Sequence, residues 1–403
     1  MRINYVLLAL LGGIVFPNLA LALNYNQALE QGLKNSPFAA EVRKIRLENY
    51  GAQIDETKLS NPEIEYEYNI DGKEHEVTLS QPFRLSDITL KQLSYRSILK
   101  ELNCTEAKLD LLRIYHQVSR SYYDLYVLQE QKKYKQEHLK FLNKVSQTVH
   151  RSINHNNLST AEIYAFDADI LSTQTELDVL KEDLNNGQIA FARFLNISDK
   201  KMTLKQPPQI TVPVSLKKIL QKTDEYPSQH RMLELQRKQA GEKLEILAQD
   251  RYAPIISPKV VYGYNRQERK DDLKVGLSLS IPLWNRQDGA YSALKAKKKS
   301  ATIQLESQDK VSFNKIISNA YKKLSVQAAA VNKYAKVILP DYRKSVNKME
   351  TSFANGRFTV FDVWQIREKY LNAQEQYLNA LKNALEAKIE LEILIGTRLE
   401  DIQ

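Results

Sequence analysis

The feature that most constrains the fold of this chain is an internal repeat with an offset of 200 residues. Residues 79–83 (LSQPF) recur as residues 279–283 (LSIPL), and Ser159-x-x-Glu162 recurs as Thr359-x-x-Asp362. A longer array of positions, spaced three and four residues apart in turn, also occurs twice. Its first copy is Ile163, Phe166, Ile170, Thr173, Leu177, Leu180, Leu184, Gly187, Phe191 and Phe194. Its second copy, apolar throughout, is Val363, Ile366, Tyr370, Ala373, Tyr377, Ala380, Ala384, Ala387, Leu391 and Leu394. Such a 3.5-residue repeat forms a narrow seam that packs against a neighbouring helix.

Each copy is predicted to contain a helix, a strand pair, a long helix, a turn and a second long helix. The predicted domains are a first repeat over residues 23–205 with strands at about 63–83, a linker over 206–222, and a second repeat over 223–403 with strands at about 255–283. The chain has only 12 glycines and 12 prolines among 403 residues, which is typical of few turns and long helices. We therefore expect a mainly helical, elongated bundle that also carries β-strands.

Turn residues predict where the helices end. A helix that begins near Pro37 is expected to reach about Leu59, before Asn61-Pro62. A long helix follows over about residues 87–149, and the asparagine run at 154–157 ends it. In the second copy we expect an uninterrupted helix from the strands to about Phe353, a turn, and a final helix to the C-terminus.

The first 22 residues have the pattern of a secretory signal peptide. Arg2 precedes an apolar run over residues 6–16, and Ala20-Leu21-Ala22 supplies the small residues of a cleavage site. We predict cleavage after Ala22 and export of the mature chain. An uncleaved anchor is the alternative, but the run is shorter than the ~20 apolar residues that span a bilayer. No cysteine follows the run, so no lipoprotein attachment is expected.

The predicted strands alternate between polar and apolar residues. Residues 63–70 alternate Glu63, Glu65, Glu67 and Asn69 with Ile64, Tyr66, Tyr68 and Ile70. Residues 273–281 alternate Leu273, Val275, Leu277, Leu279 and Ile281 with Lys274, Gly276, Ser278 and Ser280. This pattern favours strands of a transmembrane barrel, which need ~9–11 residues each. The alternative is an antiparallel sheet with one face on a soluble core, but no spare helix is available to cover that face.

Four strands cannot close a barrel, and open strand edges are not tolerated in lipid. The chain is therefore expected to share its barrel with other copies, and three copies would supply twelve strands, within the range of outer-membrane barrels. Pro82 and Pro282 lie where each second strand passes into its long helix. Proline lacks the N–H that a strand ladder needs and suits the first turn of a helix.

Catalytic and metal-binding patterns do not emerge from the sequence. The single cysteine, Cys104, excludes an internal disulfide and a cysteine-based zinc site. The six histidines have no metal-ligand spacing, and phosphate-binding glycine loops and nucleophile elbows are not found. We expect no enzyme, no cofactor and no metal. The basic run at residues 295–299 is expected to be a solvated helix face rather than a nucleic-acid site.

The signal peptide, the duplicated halves, the Leu-Ser-x-Pro strand ends and the helix–turn–helix seams together resemble the TolC-like outer-membrane efflux family. Residues 279–289 are similar to the branch that serves heavy-metal or drug pumps of the resistance-nodulation-division type. The resemblance implies a homotrimer with a twelve-stranded outer-membrane β-barrel that continues into a periplasmic α-helical coiled-coil barrel. Such a protein is the passive exit duct of a tripartite efflux pump, docked to a periplasmic adaptor and driven by an inner-membrane transporter. The alternatives are the outer-membrane component of a type I secretion system and a soluble periplasmic coiled-coil adaptor.

The resemblance also implies roles for residues at the two helix turns. The adaptor-contact candidates are Asn156, Asn157, Leu158, Ser159, Gly356, Arg357, Phe358 and Thr359. Asp362 matches an acidic position near the periplasmic gate, Glu162 is its repeat mate, and Gln365 stands where a second acid is often found. An acid in the first turn of a helix also simply favours the helix dipole, which is the alternative role for both carboxylates.

The polar strand faces would line the lumen of the barrel. The lumen candidates are Glu63, Glu65, Glu67, Lys274 and Ser278. Three copies of the three glutamates would place nine carboxylates in the lumen, which predicts a preference for cations because lumen residues tune selectivity. The alternative is that a wet lumen needs polar residues of any kind.

Overall fold

The fold is taken from a computed structural model of the chain. It describes residues 21–55, 57–71, 73–88, 90–152, 160–197, 202–212, 214–222, 229–284, 286–307, 309–354 and 358–402. The protein is mostly helical with few strands, as the sequence predicts. Its α-helices are α1 (Tyr25–Asn35), α2 (Pro37–Asp55), α3 (Leu90–Ser152), α4 (Thr160–Leu195), α5 (Leu216–Lys222), α6 (Gln229–Asp250), α7 (Asp288–Ser307), α8 (Lys310–Lys333), α9 (Leu339–Ala354) and α10 (Val360–Ile395). Among the described residues no helix combines the length and the apolar character needed to cross a bilayer.

The strands of the described residues form two sheets. Strand β1 (Leu21–Leu23) pairs in parallel with β4 (Met202–Leu204). The larger sheet is antiparallel, in the order β2-β3-β5-β6, and joins strands of the first repeat to strands of the second. Its members are β2 (Glu63–Asn69), β3 (Glu74–Ser80), β5 (Ile255–Asn265) and β6 (Lys270–Ser280).

Both hairpin turns of the larger sheet use the same devices. The side chain of Asn69 accepts a hydrogen bond from the N–H of Asp71 at 3.2 Å. The side chain of Asn265 accepts from the N–H groups of Gln267 and Glu268 at 2.9 and 3.0 Å. Lys73 and Arg269, just before the returning strands, have φ values of 51° and 56°. Asparagine side chains favour such turns because they bond to the backbone two residues on.

The chain folds into two compact units, each built from separate stretches of sequence. Unit 1 contains the described residues of Met1–Pro37, Gln117–Gln209 and Lys333–Lys382. In its core, the hydroxyl groups of Tyr25 and Ser119 lie 2.7 Å apart, and the Tyr122 hydroxyl donates to the carbonyls of Leu23 and Lys205. These bonds tie the small β1–β4 sheet to α3.

Unit 2 contains the described residues of Phe38–His116, Ile210–Asn332 and Asn383–Gln403, and so includes the whole larger sheet. Its helices bury Leu99, Leu235 and Ile317 completely. The same unit contains a buried polar pair, in which Nε2 of His116 is 2.7 Å from Oε2 of Glu392. The other carboxylate oxygen of Glu392 accepts from the N–H of Leu399 at 2.9 Å, so both oxygens are satisfied.

The duplicated seam is confirmed in α4 and α10. Each of the twenty positions of the two arrays is buried or half-buried, and none is exposed. The first array uses large side chains such as Phe166 and Leu184, whereas the second uses Ala380 and Ala387. The smaller side chains allow closer approach of the neighbouring helix.

Several predicted boundaries were wrong. The predicted first helix begins at Pro37 as α2 does, but α2 ends at Asp55 rather than near Leu59, and α1 before it was not predicted. The predicted uninterrupted helix of the second repeat is divided, because Asp309 starts α8 by accepting a hydrogen bond from the N–H of Ser312 at 2.9 Å. It also contains a π-helical turn, Tyr334–Ile338, just before Pro340. Proline lacks the N–H of the regular helix ladder and disturbs its hydrogen bonds.

The predicted cleavage site falls within β1. Leu21 and Ala22 pair with Met202 and Thr203, and Leu23, the last residue of the strand, pairs with Leu204. Two of the three strand residues therefore belong to the predicted signal peptide, and the position of cleavage stays a prediction.

Candidate functional site

The larger sheet separates its side chains into an apolar face and a polar face. Residues opposite each other in antiparallel strands share a face, so the register assigns every position. The apolar face includes Ile64, Tyr66, Tyr68, Val77, Leu79, Val260, Tyr262, Tyr264, Leu273, Val275, Leu277 and Leu279. Val275 and Ile64 are 81% and 74% exposed. An apolar surface of this extent marks a region that lipid or protein covers.

All five lumen candidates lie on the polar face, in rows that run across the sheet. The register places Glu65, Thr78, Val261 and Lys274 in one row and Glu67, Glu76, Gly263 and Asp272 in the next. Ser278 lies opposite Ser257, and Glu63 opposite Ser80. The structure therefore brings the five candidates to one surface; that this surface lines a lumen stays a prediction.

The polar face also carries an ion-pair cluster that sequence reasoning missed. Nζ of Lys274 lies 3.1 Å from Oε1 of Glu76 and 3.1 Å from Oδ2 of Asp272. Glu76 extends over Gly263, where an added Cβ would lie 3.7 Å from its Cγ. Glu76 and Lys274 are 198 residues apart in the chain, so only alternation of the separate strands was visible in the sequence.

The opposite face carries aromatic and polar groups close to the hairpin turns. The Tyr66 hydroxyl lies 2.8 Å from Nδ1 of His75, and the ring of Tyr68 is 4.7 Å from the same imidazole. The Tyr262 hydroxyl donates to Oδ1 of Asp271 at 2.9 Å. Tyrosines with an apolar body and a bonded hydroxyl suit a boundary between apolar and wet surroundings.

Pro82 and Pro282 follow the ends of β3 and β6, as predicted. They do not lie in the first turn of a helix, so that part of the prediction was wrong. Beyond Pro82 the ladder continues for one more residue. The N–H of Phe83 donates to the carbonyl of Ile256 at 2.8 Å, and the carbonyl of Phe83 accepts from the N–H of Ile256 at 3.0 Å. A 3-10 helix then begins at Leu85. Pro282 lies six residues before the start of α7 at Asp288. Neither proline therefore starts a helix. Pro82 lies one residue before the last pair of its ladder, whereas Pro282 lies two residues beyond the last paired residue of β6, Ser280.

A cation–aromatic cluster joins the residues after α6 to the start of α7, and its members are too far apart in sequence to have been predicted. The guanidinium of Arg251 lies 4.3 Å from the ring centre of Tyr291 and pairs with Asp288. Its Nε donates to the carbonyl of Arg286 at 2.9 Å. The Arg286 guanidinium in turn lies 5.3 Å from the ring of Tyr252. Stacking of this kind holds the segment between β6 and α7 against the end of α6.

At the start of α10, the structure gives the carboxylate of Asp362 a capping role. The N–H and hydroxyl of Thr359 donate to Oδ2 of Asp362 at 3.0 and 2.7 Å, and the N–H of Asp362 donates back to the Thr359 hydroxyl at 3.2 Å. The hydroxyl and backbone N–H of Thr359 hold the pKa of Asp362 below its usual range. This reciprocal pair is a capping box. Gln365 is exposed one turn later, so no second carboxylate accompanies Asp362 there.

The other turn candidates are only partly described. Phe358 is 45% exposed and precedes Thr359 at the helix start. Glu162 belongs to α4. The remaining adaptor-contact candidates lie outside the described residues: Asn156, Asn157, Leu158, Ser159, Gly356 and Arg357.

Unit 1 contains a polar contact that joins α3, α4 and α10. Its residues are close in sequence to the two helix turns. Nε1 of Trp364 in α10 donates to Oδ2 of Asp169 in α4 at 2.8 Å, and Nε2 of His138 in α3 lies 3.6 Å from the same oxygen. Nearby, Lys135 pairs with Glu176 at 2.7 Å and Glu375 at 3.1 Å. The two repeats are therefore joined by charged groups as well as by their seams.

The comparisons with known proteins agree with this geometry. Residues 231–397 match the family model "Outer membrane efflux protein". No curated protein sequence matches the chain. Among solved structures, the outer membrane protein VceC from Vibrio cholerae aligns with a TM-score of 0.69 at 16% identity, over 93% of this chain and 96% of its own.

Two further outer membrane channels have the same fold. CmeC from Campylobacter jejuni has a TM-score of 0.67 at 13% identity, over 92% of this chain and 85% of its own. MtrE from Neisseria gonorrhoeae has a TM-score of 0.66 at 14% identity, over 94% of this chain and 90% of its own. The predicted resemblance is confirmed to this extent: residues 231–397 match the outer membrane efflux protein model, and the chain has the fold of these outer-membrane channels.

Proposed function

We propose that this protein is the passive exit duct of a tripartite efflux pump in a Gram-negative cell envelope. The observation that carries the proposal is the two-faced sheet, whose apolar face is widely exposed while its other face is charged. A soluble sheet would bury its apolar face. A lipid-facing barrel leaves that face outward and keeps polar residues in the lumen.

The proposed assembly is a homotrimer. Within the described part of the chain, β2 and β6 each have a strand partner on one side only. Edges of this kind must be paired inside a membrane, and three chains of four strands would close a twelve-stranded barrel. The barrel would lie in the outer membrane and continue into the periplasm as an α-helical barrel. The proposed domains are the signal peptide 1–22, the repeats 23–205 and 223–403, and the linker 206–222.

The proposed partners are a periplasmic adaptor, an inner-membrane transporter of the resistance-nodulation-division type, and outer-membrane lipid. The adaptor would meet the turns at residues 156–159 and 356–359. The carboxylates of Asp362 and Glu162 would lie at the periplasmic gate, with Gln365 beside them. For Asp362 the capping box supports the alternative role, because its carboxylate already has local donors. Pumping would be the transporter's work, and the duct itself would need no enzyme activity and no cofactor.

Fractionation combined with conductance measurement tests the proposal. The mature protein is expected in the outer membrane, extracted by detergent as a trimer, and the purified trimer should conduct ions across a planar bilayer. Recovery as a soluble periplasmic protein would instead support the adaptor class. Deletion of the gene should sensitise cells to metals, dyes or antibiotics; an intact resistance profile with a lost exported protein would support type I secretion.

A further inference from the structure

One row of the polar face contains three carboxylates, those of Glu67, Glu76 and Asp272, which is more than any other row of the sheet. We call it the acidic row. Lys274 belongs to the adjacent row, yet its ammonium group pairs with both Glu76 and Asp272 at 3.1 Å. We propose that Lys274 limits the cation selectivity of the duct by offsetting one of the two negative charges of these carboxylates. This inference rests on the proposed function, because it requires the polar face to line a conducting lumen.

The geometry favours Lys274 over the other cations of this face. Lys259 extends over Gly276, where an added Cβ would lie 3.3 Å from its Cε, and it is in the row of Glu63 and Ser80. Lys270 is at the hairpin turn, where its ammonium group lies 3.9 Å from Glu268. Among the described residues only Lys274 forms ion pairs with the carboxylates of the acidic row.

The glutamates of β2 carry the remaining negative charge of this face. Glu63, Glu65 and Glu67 have no ion-pair partner within the described ranges, and all three are exposed. Their three charges are therefore available to passing ions, whereas Lys274 offsets one of the two charges of Glu76 and Asp272. Selectivity in the natural chain would thus depend mainly on the β2 glutamates.

Loss of Lys274 should leave the fold intact. The Lys274 side chain is 58% exposed, and those of Glu76 and Asp272 are 37% and 60% exposed. Ion pairs this open to water contribute little to stability, because solvent screens them and the side chains lose freedom when they pair. A neutral residue at position 274 therefore changes the charge of the lumen without removing a structural contact of consequence.

The test is the reversal potential of purified trimers in planar bilayers under a salt gradient. Lys274→Gln should raise the cation-to-anion permeability ratio about fivefold at 0.1 M salt, for three charges about 10 Å from the axis and a Debye length of about 10 Å. Lys274→Arg keeps the charge and should match the natural protein. The double variant Lys274→Gln, Asp272→Asn restores the net charge of the cluster and should return the ratio close to its natural value.

Lys270→Gln is the matched control, since it removes a lysine from the same strand outside the acidic row and should shift the ratio less. An unchanged ratio in Lys274→Gln, or an equal shift in Lys270→Gln, would overturn the inference while leaving a conducting duct. If the natural protein does not conduct at all, the proposed function itself fails. The two failures are therefore distinguishable in one set of recordings.

Discussion

Asp169 illustrates how a half-buried carboxylate stays charged within the helical part of this protein. Burial by itself would raise its pKa, but donation from His138 and Trp364 and the positive charge of Lys135 hold the pKa below the usual range. The closest of these partners is the indole N–H of Trp364, at 2.8 Å. A buried charged acceptor that loses its donor keeps the desolvation cost without compensation.

We predict that Trp364→Phe destabilises the protein by about 1.5 kcal/mol at neutral pH, because a hydrogen bond to a charged group is lost while the ring is retained. The folded pKa of Asp169 is lowered, so its contribution is complete above the ordinary aspartate pKa and is lost as the pH falls through the folded value. The deficit should therefore shrink in acid. Urea unfolding at pH 7 and pH 3, followed by circular dichroism, measures both effects.

The second tryptophan provides the control for this comparison. Trp284 is 90% exposed, so Trp284→Phe should unfold like the natural protein at both pH values. A Trp364→Phe deficit that is absent at pH 7, or that is the same in acid, would show that the indole–carboxylate bond does not contribute as stated.

At the scale of elements, α1 packs on α3 through a glycine that leaves no room for a side chain. A Cβ added at Gly32 would lie 2.3 Å from Cγ2 of Val118, which is fully buried. By contrast, a Cβ added at Gly51 in α2 would meet nothing within 4 Å. Both glycines are within helices, so the intrinsic preference for alanine is the same at the two positions.

This contrast predicts opposite effects for one chemical change. Gly32→Ala should destabilise the protein by about 1–3 kcal/mol, since overpacking forces the helices apart. Gly51→Ala should stabilise it by about 0.5–1 kcal/mol, because alanine loses less backbone entropy in a helix. Thermal unfolding of the two variants in the same detergent compares them directly, and shifts of the same sign would contradict the packing of α1 on α3.

At the scale of the whole molecule, the proposed barrel requires the exposed apolar face of the larger sheet to contact lipid. Val275 lies on that face, while Ser278, three residues further along the same strand, lies on the polar face. A lysine in contact with lipid costs about 2–4 kcal/mol near the bilayer midplane, but a lysine in a wet lumen costs little.

Val275→Lys is therefore expected to reduce the amount of trimer recovered from the outer membrane, whereas Ser278→Lys should assemble normally. Membrane fractionation followed by sizing of the detergent extract measures both. Equal recovery of the two variants would mean that the apolar face does not contact lipid, and would contradict the proposed barrel.

Much of this architecture could be predicted because its signals are local in the chain. The 3.5-residue spacing of Phe166 and its neighbours depends only on how a helix turns, and the alternation around Glu65 only on how a strand is pleated. The capping box of Thr359 and Asp362 joins residues only three positions apart, so its spacing is also visible in the sequence. The breaks at Asp309 and at the π-helical turn before Pro340 were missed because their signals are weak beside a strong helical pattern.

The sequence by itself determined that the chain is duplicated, mostly helical, and two-faced in its strands. Only the tertiary structure decided which strands are neighbours, and β3 of the first repeat pairs with β5 of the second. That pairing places Glu76 within reach of Lys274, 198 residues away. The physical reason is that periodicity orients a side chain within its own element, whereas an ion pair depends on the register between elements, which is set by packing and hydrogen bonding across the whole sheet.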